Sequence, residues 1–172
     1  LPKKFKNTIG YKIVLAFILL SLFIISGCTF RSTKVVQEDV YTNNDRLMQQ
    51  SDTFSYSNSS KNSRLEKELS LEFIMFSGVN TLWVVSSDTE QELKIDIDQQ
   101  ISDGKFKTIV VSDDKKTREI NVLNEGSSQG MSASISIKPN TKYYIKIVGS
   151  QAKGNIKMEL SSENDIHLTA LE

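Results

Sequence analysis

Residues 92–98 read ELKIDID, with Leu93, Ile95 and Ile97 alternating against Glu92, Lys94, Asp96 and Asp98. A period of two puts the aliphatic side chains on one face of an extended strand and the charges on the other. One dry face and one wet face is the habit of antiparallel sheets, whereas strands buried on both sides read as unbroken apolar runs. The pattern recurs along the chain. LSLEFIMF (69–76) sets Leu69, Leu71, Phe73 and Met75 on one face, TLWVVS (81–86) follows a Gly-Val-Asn break, and GKFKTIVVS (104–112) runs into the polar turn Asp113-Asp114-Lys115-Lys116. REINVLN (118–124), SASISIK (132–138), KYYIKIVG (142–149) and NIKMELS (155–161) complete the set, with Ala133, Ile135, Ile137, Tyr143, Ile145, Ile147, Ile156, Met158 and Leu160 facing inward. About eight such runs, separated by turn signals rather than helices, predict an all-β fold over 65–162. The expected architecture is an antiparallel β-sandwich, jelly-roll-like in outline. Leu65, Leu69 and Phe73 also lie four apart, so a helix at the start of the first run stays open.

Outside this block the composition changes. NNDRLMQQSDTFSYSNSSKNS (43–63) is rich in Ser and Asn and poor in aliphatics. Such a stretch buries too little apolar surface to offset the entropy of ordering it. Residues 28–64 are therefore expected to form a flexible tether, within which Val35, Val36, Val40, Leu47 and Met48 can make one short amphipathic helix. Residues 163–172 read as a C-terminal tail.

The first 27 residues have a different logic. Lys3, Lys4, Lys6 and Lys12 precede the run Ile13–Ile25, which is apolar apart from Ala16 and Ser21, and the small residues Ser26 and Gly27 follow. A basic stretch, a short apolar stretch and small residues describe a secretory signal peptide. Next comes Cys28, the only cysteine of the 172 residues. Ile25-Ser26-Gly27-Cys28 resembles the lipobox of bacterial lipoproteins. The resemblance implies recognition of Ile25, Ser26 and Gly27 by the signal peptidase, cleavage before Cys28, and a diacylglycerol on the Cys28 thiol. The protein would then be anchored extracytoplasmically, on the outer face of the bacterial cytoplasmic membrane, by acyl chains that each contribute about 0.8 kcal/mol per buried CH₂. An uncleaved signal anchor is the other reading, since Lys12 and Arg31 bracket 18 uncharged residues, about 27 Å as a helix.

A second, shorter resemblance lies in ISIKPNTKYYIKIVG (135–149), which is similar to the strand–turn–strand of bacterial pre-peptidase C-terminal domains. These are small extracellular sandwiches. Their turn usually carries Gly where this chain has Pro139-Asn140, and Asn is among the residues that best tolerate a positive φ. The body as a whole also resembles uncharacterised all-β lipoprotein domains of Gram-positive bacteria, which implies a class and no activity.

Charge narrows the partners. From Cys28 onward 17 basic residues face 21 acidic ones, a net charge of −4. Nucleic acid is not an expected partner, because its binding rests on a basic footprint. Catalysis needs convergent groups, and few are on offer. His167 is the only histidine and lies in the expected tail, there is no Gly-rich phosphate loop, and the lipobox resemblance implies that the Cys28 thiol carries lipid. No cofactor and no enzymatic activity are expected. Asp96 and Asp98 share a strand face and are a weak calcium candidate, set against the reading of a solvated face. Trp83, the lone tryptophan, is either core or an exposed platform for a sugar ring. Tyr144, expected on the surface beside Lys146, is the second candidate ligand-binding residue, marking a binding face if other exposed aromatics join it. The sequence thus points to a non-catalytic binding or interaction protein with an unknown protein or glycan partner. The alternative is a carbohydrate- or cell-wall-polymer-binding module that assists a partner enzyme.

Overall fold

The computed structural model describes residues 40–56 and 63–170. The chain forms an all-β antiparallel sandwich, as the alternation predicts. Its elements are α1 (Asn44–Leu47), β1 (Thr53–Ser55), β2 (Ser63–Arg64), β3 (Glu68–Ser86), β4 (Gln91–Ser112), β5 (Thr117–Asn124), β6 (Ser127–Ile137), β7 (Tyr143–Ser162) and β8 (His167–Ala170). β7 lies between β3 and β4, and every pairing is antiparallel. β1, β2 and β8 add to β3, while β5 and β6 add to β4.

Three strands of 19, 22 and 20 residues carry the architecture. The sequence splits each of them in two, and the reason is visible in the backbone. Met75 and Gly78 on β3, Gly104 on β4 and Gln151 on β7 all have positive φ, at 58°, 110°, 75° and 52°. The ladders shift register around all four, between Phe73 and Gly78 on β3, between Ile101 and Lys105 on β4 and between Gly149 and Lys153 on β7. A bulge adds one residue to a strand and sharpens its bend. It also moves every later side chain to the opposite face. The inward set accordingly changes from Leu69 and Phe73 to Phe76 on β3. On β4 it changes from Leu93, Ile95 and Ile97 to Phe106 and Val110, and on β7 from Ile145 and Ile147 to Ile156, Met158 and Leu160. One sheet is thus folded over on itself. Met75, expected inward, stands at the bend and is 48% exposed.

The interior formed by this fold is a single cluster. Phe73 stacks on Phe106 at 5.0 Å between centroids, and Phe76 tilts against both. Ile95, Ile135, Ile145 and Ile147, all expected in the core, are buried in it.

The tether expected over 28–64 does not describe Val40–Tyr56. Val40, Tyr41 and Leu47 are buried in a second cluster with Val79, Ile109, Val111 and Val148. α1 is a single turn capped by Asn43, whose Oδ1 accepts from Arg46 N at 3.2 Å. β1 then pairs with β3. The segment is poor in aliphatics, yet the two it buries, with Tyr41, fill an apolar patch that the sheet presents, which no local composition reveals. Residues 29–39 and 57–62, also part of the expected tether, lie outside the described residues. The expected tail needs a similar correction, because β8 pairs with Trp83–Ser86 and Ile166 and Leu168 pack on the core.

Candidate binding cleft

The signal residues Ile25, Ser26 and Gly27 and the lipidation residue Cys28 lie outside the described residues. Among those described, no helix is long and apolar enough to cross a membrane.

Trp83 is not a platform. Its side chain is 0% exposed, and its indole N–H donates to Glu66 O at 2.9 Å. Burying a large aromatic whose one polar atom is satisfied favours the core. Asp96 and Asp98 stand on the outer face of β4, as the alternation requires, and line a groove of about 550 Å³ with Glu68, Lys157 and Glu159. Asp96 is already engaged. Lys94 Nζ donates to it at 2.8 Å and Ser132 Oγ donates to its other oxygen. The Lys94 bond, then the Ser132 bond, hold its carboxyl below the usual carboxylate range. A carboxylate held ionised by such donors is a poor general acid. Among the described residues no three His, Cys, Asp or Glu side chains come together as metal ligands. His167 Nε2 lies 3.3 Å from Asp88, but the two side chains are 68% and 82% exposed, so solvent screens the pair.

Two neighbouring aromatic side chains on β7, both half-buried, line open grooves. Tyr144, expected on the surface beside Lys146, is instead half-buried against the second cluster, where it lines a groove of about 690 Å³ beside α1 and Lys146 is buried. Lys146 lies in the same groove with Nζ 5.8 Å from the Tyr144 ring centroid. That ammonium is committed to the N-terminal segment, donating to Gln49 O at 2.6 Å. Burial lowers its pKa, against the opposing pull of Asp52.

Tyr143 faces the other way, into a cleft of about 340 Å³ at the end of the sandwich. Val110 and Ile135 from the core form its floor, with the half-buried Tyr143 ring beside them. Its rim carries the hydroxyls of Ser112, Ser136 and Thr141, the cations Lys116, Arg118 and Lys138, and the acids Asp113 and Asp114. Three loops build this end, and hydrogen bonds tie them together. Asp113 N donates to Lys142 O at 3.0 Å and Lys142 N donates back to Asp113 Oδ2 at 3.3 Å. Asn140, with φ 57°, makes the Pro139-Asn140 turn and donates its N–H to Ser87 O at 2.9 Å. Lys138 N donates to the Tyr143 phenolic oxygen at 3.1 Å, which fixes the ring and leaves its O–H free to act as a donor.

Sequence reasoning placed Tyr143 simply in the core and missed the rim cations. Arg118 and Lys138 are twenty residues apart in the chain, and only the sheet brings them to one opening. The available signal was the density of Lys and Arg around two turns, 113–118 and 138–142.

No protein-family model and no curated protein matches the chain. Among solved structures it is similar to a family 35 carbohydrate binding module from an environmental isolate, at 17% identity and a TM-score of 0.38, over 71% of this chain and 91% of that one. It is similar to a mutant of a family 29 carbohydrate binding module at 10% identity and a TM-score of 0.33, over 67% and 80%. A CENP-C cupin domain from Drosophila melanogaster follows at 15% identity and a TM-score of 0.23, over 73% and 98%. At TM-scores below 0.5 these likenesses carry no argument, and the cleft is read from its own residues.

Proposed function

We propose that the protein is a lipid-anchored, extracytoplasmic, non-catalytic module that binds a carbohydrate or cell-wall polymer in the Tyr143 cleft. The observation that carries the reading is the make-up of that cleft: a fixed aromatic ring on an apolar floor, ringed by hydroxyls and charges. A sugar ring offers apolar C–H faces and a polar edge, and a mostly apolar site with a few placed polar groups suits it. A protein-docking surface finds less support. The exposed large apolar residues Tyr56, Leu65, Met75 and Val122 are spread over β5, the β3 bend and the ends of β1 and β2. The leader and the lipobox resemblance support the anchor on Cys28.

Calorimetric titration of the full chain with a panel of oligosaccharides tests the binding. Tyr143→Ala should weaken binding at least about tenfold, the order expected for losing a central aromatic contact, while Tyr144→Ala should change it little. A panel without a ligand, or a Tyr143 variant that binds like the parent, would overturn the reading. Mass spectrometry of protein extracted from membranes should find a diacylated N-terminal Cys28. A chain retaining residues 1–27 with a free thiol would replace the lipid by a signal anchor.

A further inference from the structure

We infer that the ligand of this cleft is an anionic glycan, a sugar or polyol polymer carrying phosphate or carboxylate groups. The inference rests on the glycan reading of the cleft and specifies its chemistry. The body carries a net charge of −4 from Cys28 onward, yet the lining of the cleft sets three cations against the two acids Asp113 and Asp114. Lys116, Arg118 and Lys138 line it, and the exposed Lys115 and Lys142 flank them in the same two turns.

The ion pair between Lys116 and Asp114 neutralises both, which leaves Arg118 and Lys138 against Asp113. Asp114 is held by Lys116 at 2.5 Å and by Ser112 Oγ. Asp113 accepts the backbone N–H of Lys142. Among the described residues Lys138 makes no ion pair, and Arg118 donates from Nη1 to Ser134 O at 3.0 Å, which leaves its other N–H groups available. A guanidinium presents a planar fork of donors that matches carboxylate and phosphate oxygens. The loops that hold these cations are bonded to one another, so little ordering remains for the ligand to impose. An anionic unit can therefore stack against Tyr143 while its charged substituent meets Arg118 and Lys138. A neutral sugar would leave those cations unused.

The full chain in mild detergent is titrated with polygalacturonate, with its fully methyl-esterified form, with poly(glycerol phosphate), and with vesicles containing phosphatidylglycerol. Esterification removes the charge and keeps the sugar backbone. One of the two acidic polymers should bind at least about tenfold tighter than the ester, with the preference shrinking between about 20 and about 200 mM salt as screening shortens the reach of the rim charges. Which of the two binds separates a carboxylate ligand from a phosphate one. The double variant Arg118→Gln, Lys138→Gln should lose that preference and keep the parent's thermal midpoint. If the ester binds as tightly as the acid and Tyr143→Ala abolishes both, the glycan reading stands and the anionic inference fails. If none of the polymers binds, both fail. Vesicle binding lost in the double variant, without polymer binding, would make the rim a membrane contact and overturn the inference.

Discussion

Lys146 Nζ lies 3.7 Å from Asp52 Oδ1, with 1% of the lysine side chain exposed. The ammonium also donates to Gln49 O, while Asp52 accepts from Thr81 N at 2.6 Å and Thr81 Oγ1 at 2.7 Å. One buried cation and one carboxylate thus fasten the N-terminal segment to β3 and β7. The two partners are not equivalent under mutation. Asp52→Asn leaves a buried ammonium without its counter-charge and should cost about 3 kcal/mol, the lower end for breaking a buried pair. Lys146→Met removes the charge and fills the volume, so it should cost less than about 1 kcal/mol. Urea unfolding of the two variants checks the order, and a lysine variant more damaged than the aspartate variant would contradict it.

Removal of residues 40–56 uncovers the patch formed by Val79, Ile109, Val111 and Val148. Burial of a large apolar side chain contributes roughly 1.5–3 kcal/mol, and this segment buries Val40, Tyr41 and Leu47. The deletion should therefore lower the thermal midpoint by roughly 10 °C or more and raise binding of an apolar dye. In the intact chain, amide exchange should be slowed at Leu47 and across Thr53–Ser55. A midpoint within a few degrees of the parent would mean that this segment is a tether after all.

Gly78 and Gly126 separate two costs of a side chain at positive φ. A Cβ on Gly78, at φ 110°, would meet Thr53 O at 2.0 Å, whereas one on Gly126, at φ 75°, would meet nothing within 4 Å. Gly126→Ala should cost only the backbone strain, about 1–2 kcal/mol. Gly78→Ala should cost clearly more and free β1 from β3, because the obstructing atom is backbone. Equal midpoints in chemical denaturation would refute the distinction.

Asp96 and Asp114 both titrate below their ordinary range in the folded protein, each held first by a lysine two residues away. Between the folded and unfolded values the unfolded chain binds more protons, so stability rises with pH there. Their contribution is complete above about pH 4 and is lost as the pH falls through the folded-state values. Asp96→Asn should flatten this acid limb by lowering stability slightly near pH 7 and not at all once the pH is below the folded-state value, the effect being small because exposed pairs contribute little. Acid titrations of the two proteins that superimpose would show that Asp96 makes no such contribution.

How much of this was legible follows from where each signal lies. The alternation in 92–98, 132–138 and 155–161 was sufficient to place Ile95, Ile135 and Ile156 inward, because the period of a strand is a property of the local backbone. The eight runs were misread as eight strands only at Met75, Gly104 and Gln151. There a bulge shifts the pattern by one residue and looks in the sequence like a turn. Trp83 carried no local sign of its environment, and its burial depends on strands far from it in the chain. The tether expectation failed over Val40–Tyr56 for a related reason. Composition measures what a segment can bury in itself, and this one buries its few apolar residues against β3, β4 and β7.

The sequence by itself determined an antiparallel all-β body, the aliphatic set of its core, and the outward position of Asp96 and Asp98. Each of these follows from side-chain alternation within a single strand. Only the tertiary structure decided that three long strands bend to fold one sheet over itself, and that the chain from Val40 to Tyr56 covers an outer face. It also decided that Tyr143, Arg118 and Lys138 share one opening. Those relationships join residues tens of positions apart. They are fixed by backbone ladders and by burial of apolar surface on folding, which no local pattern of residues encodes.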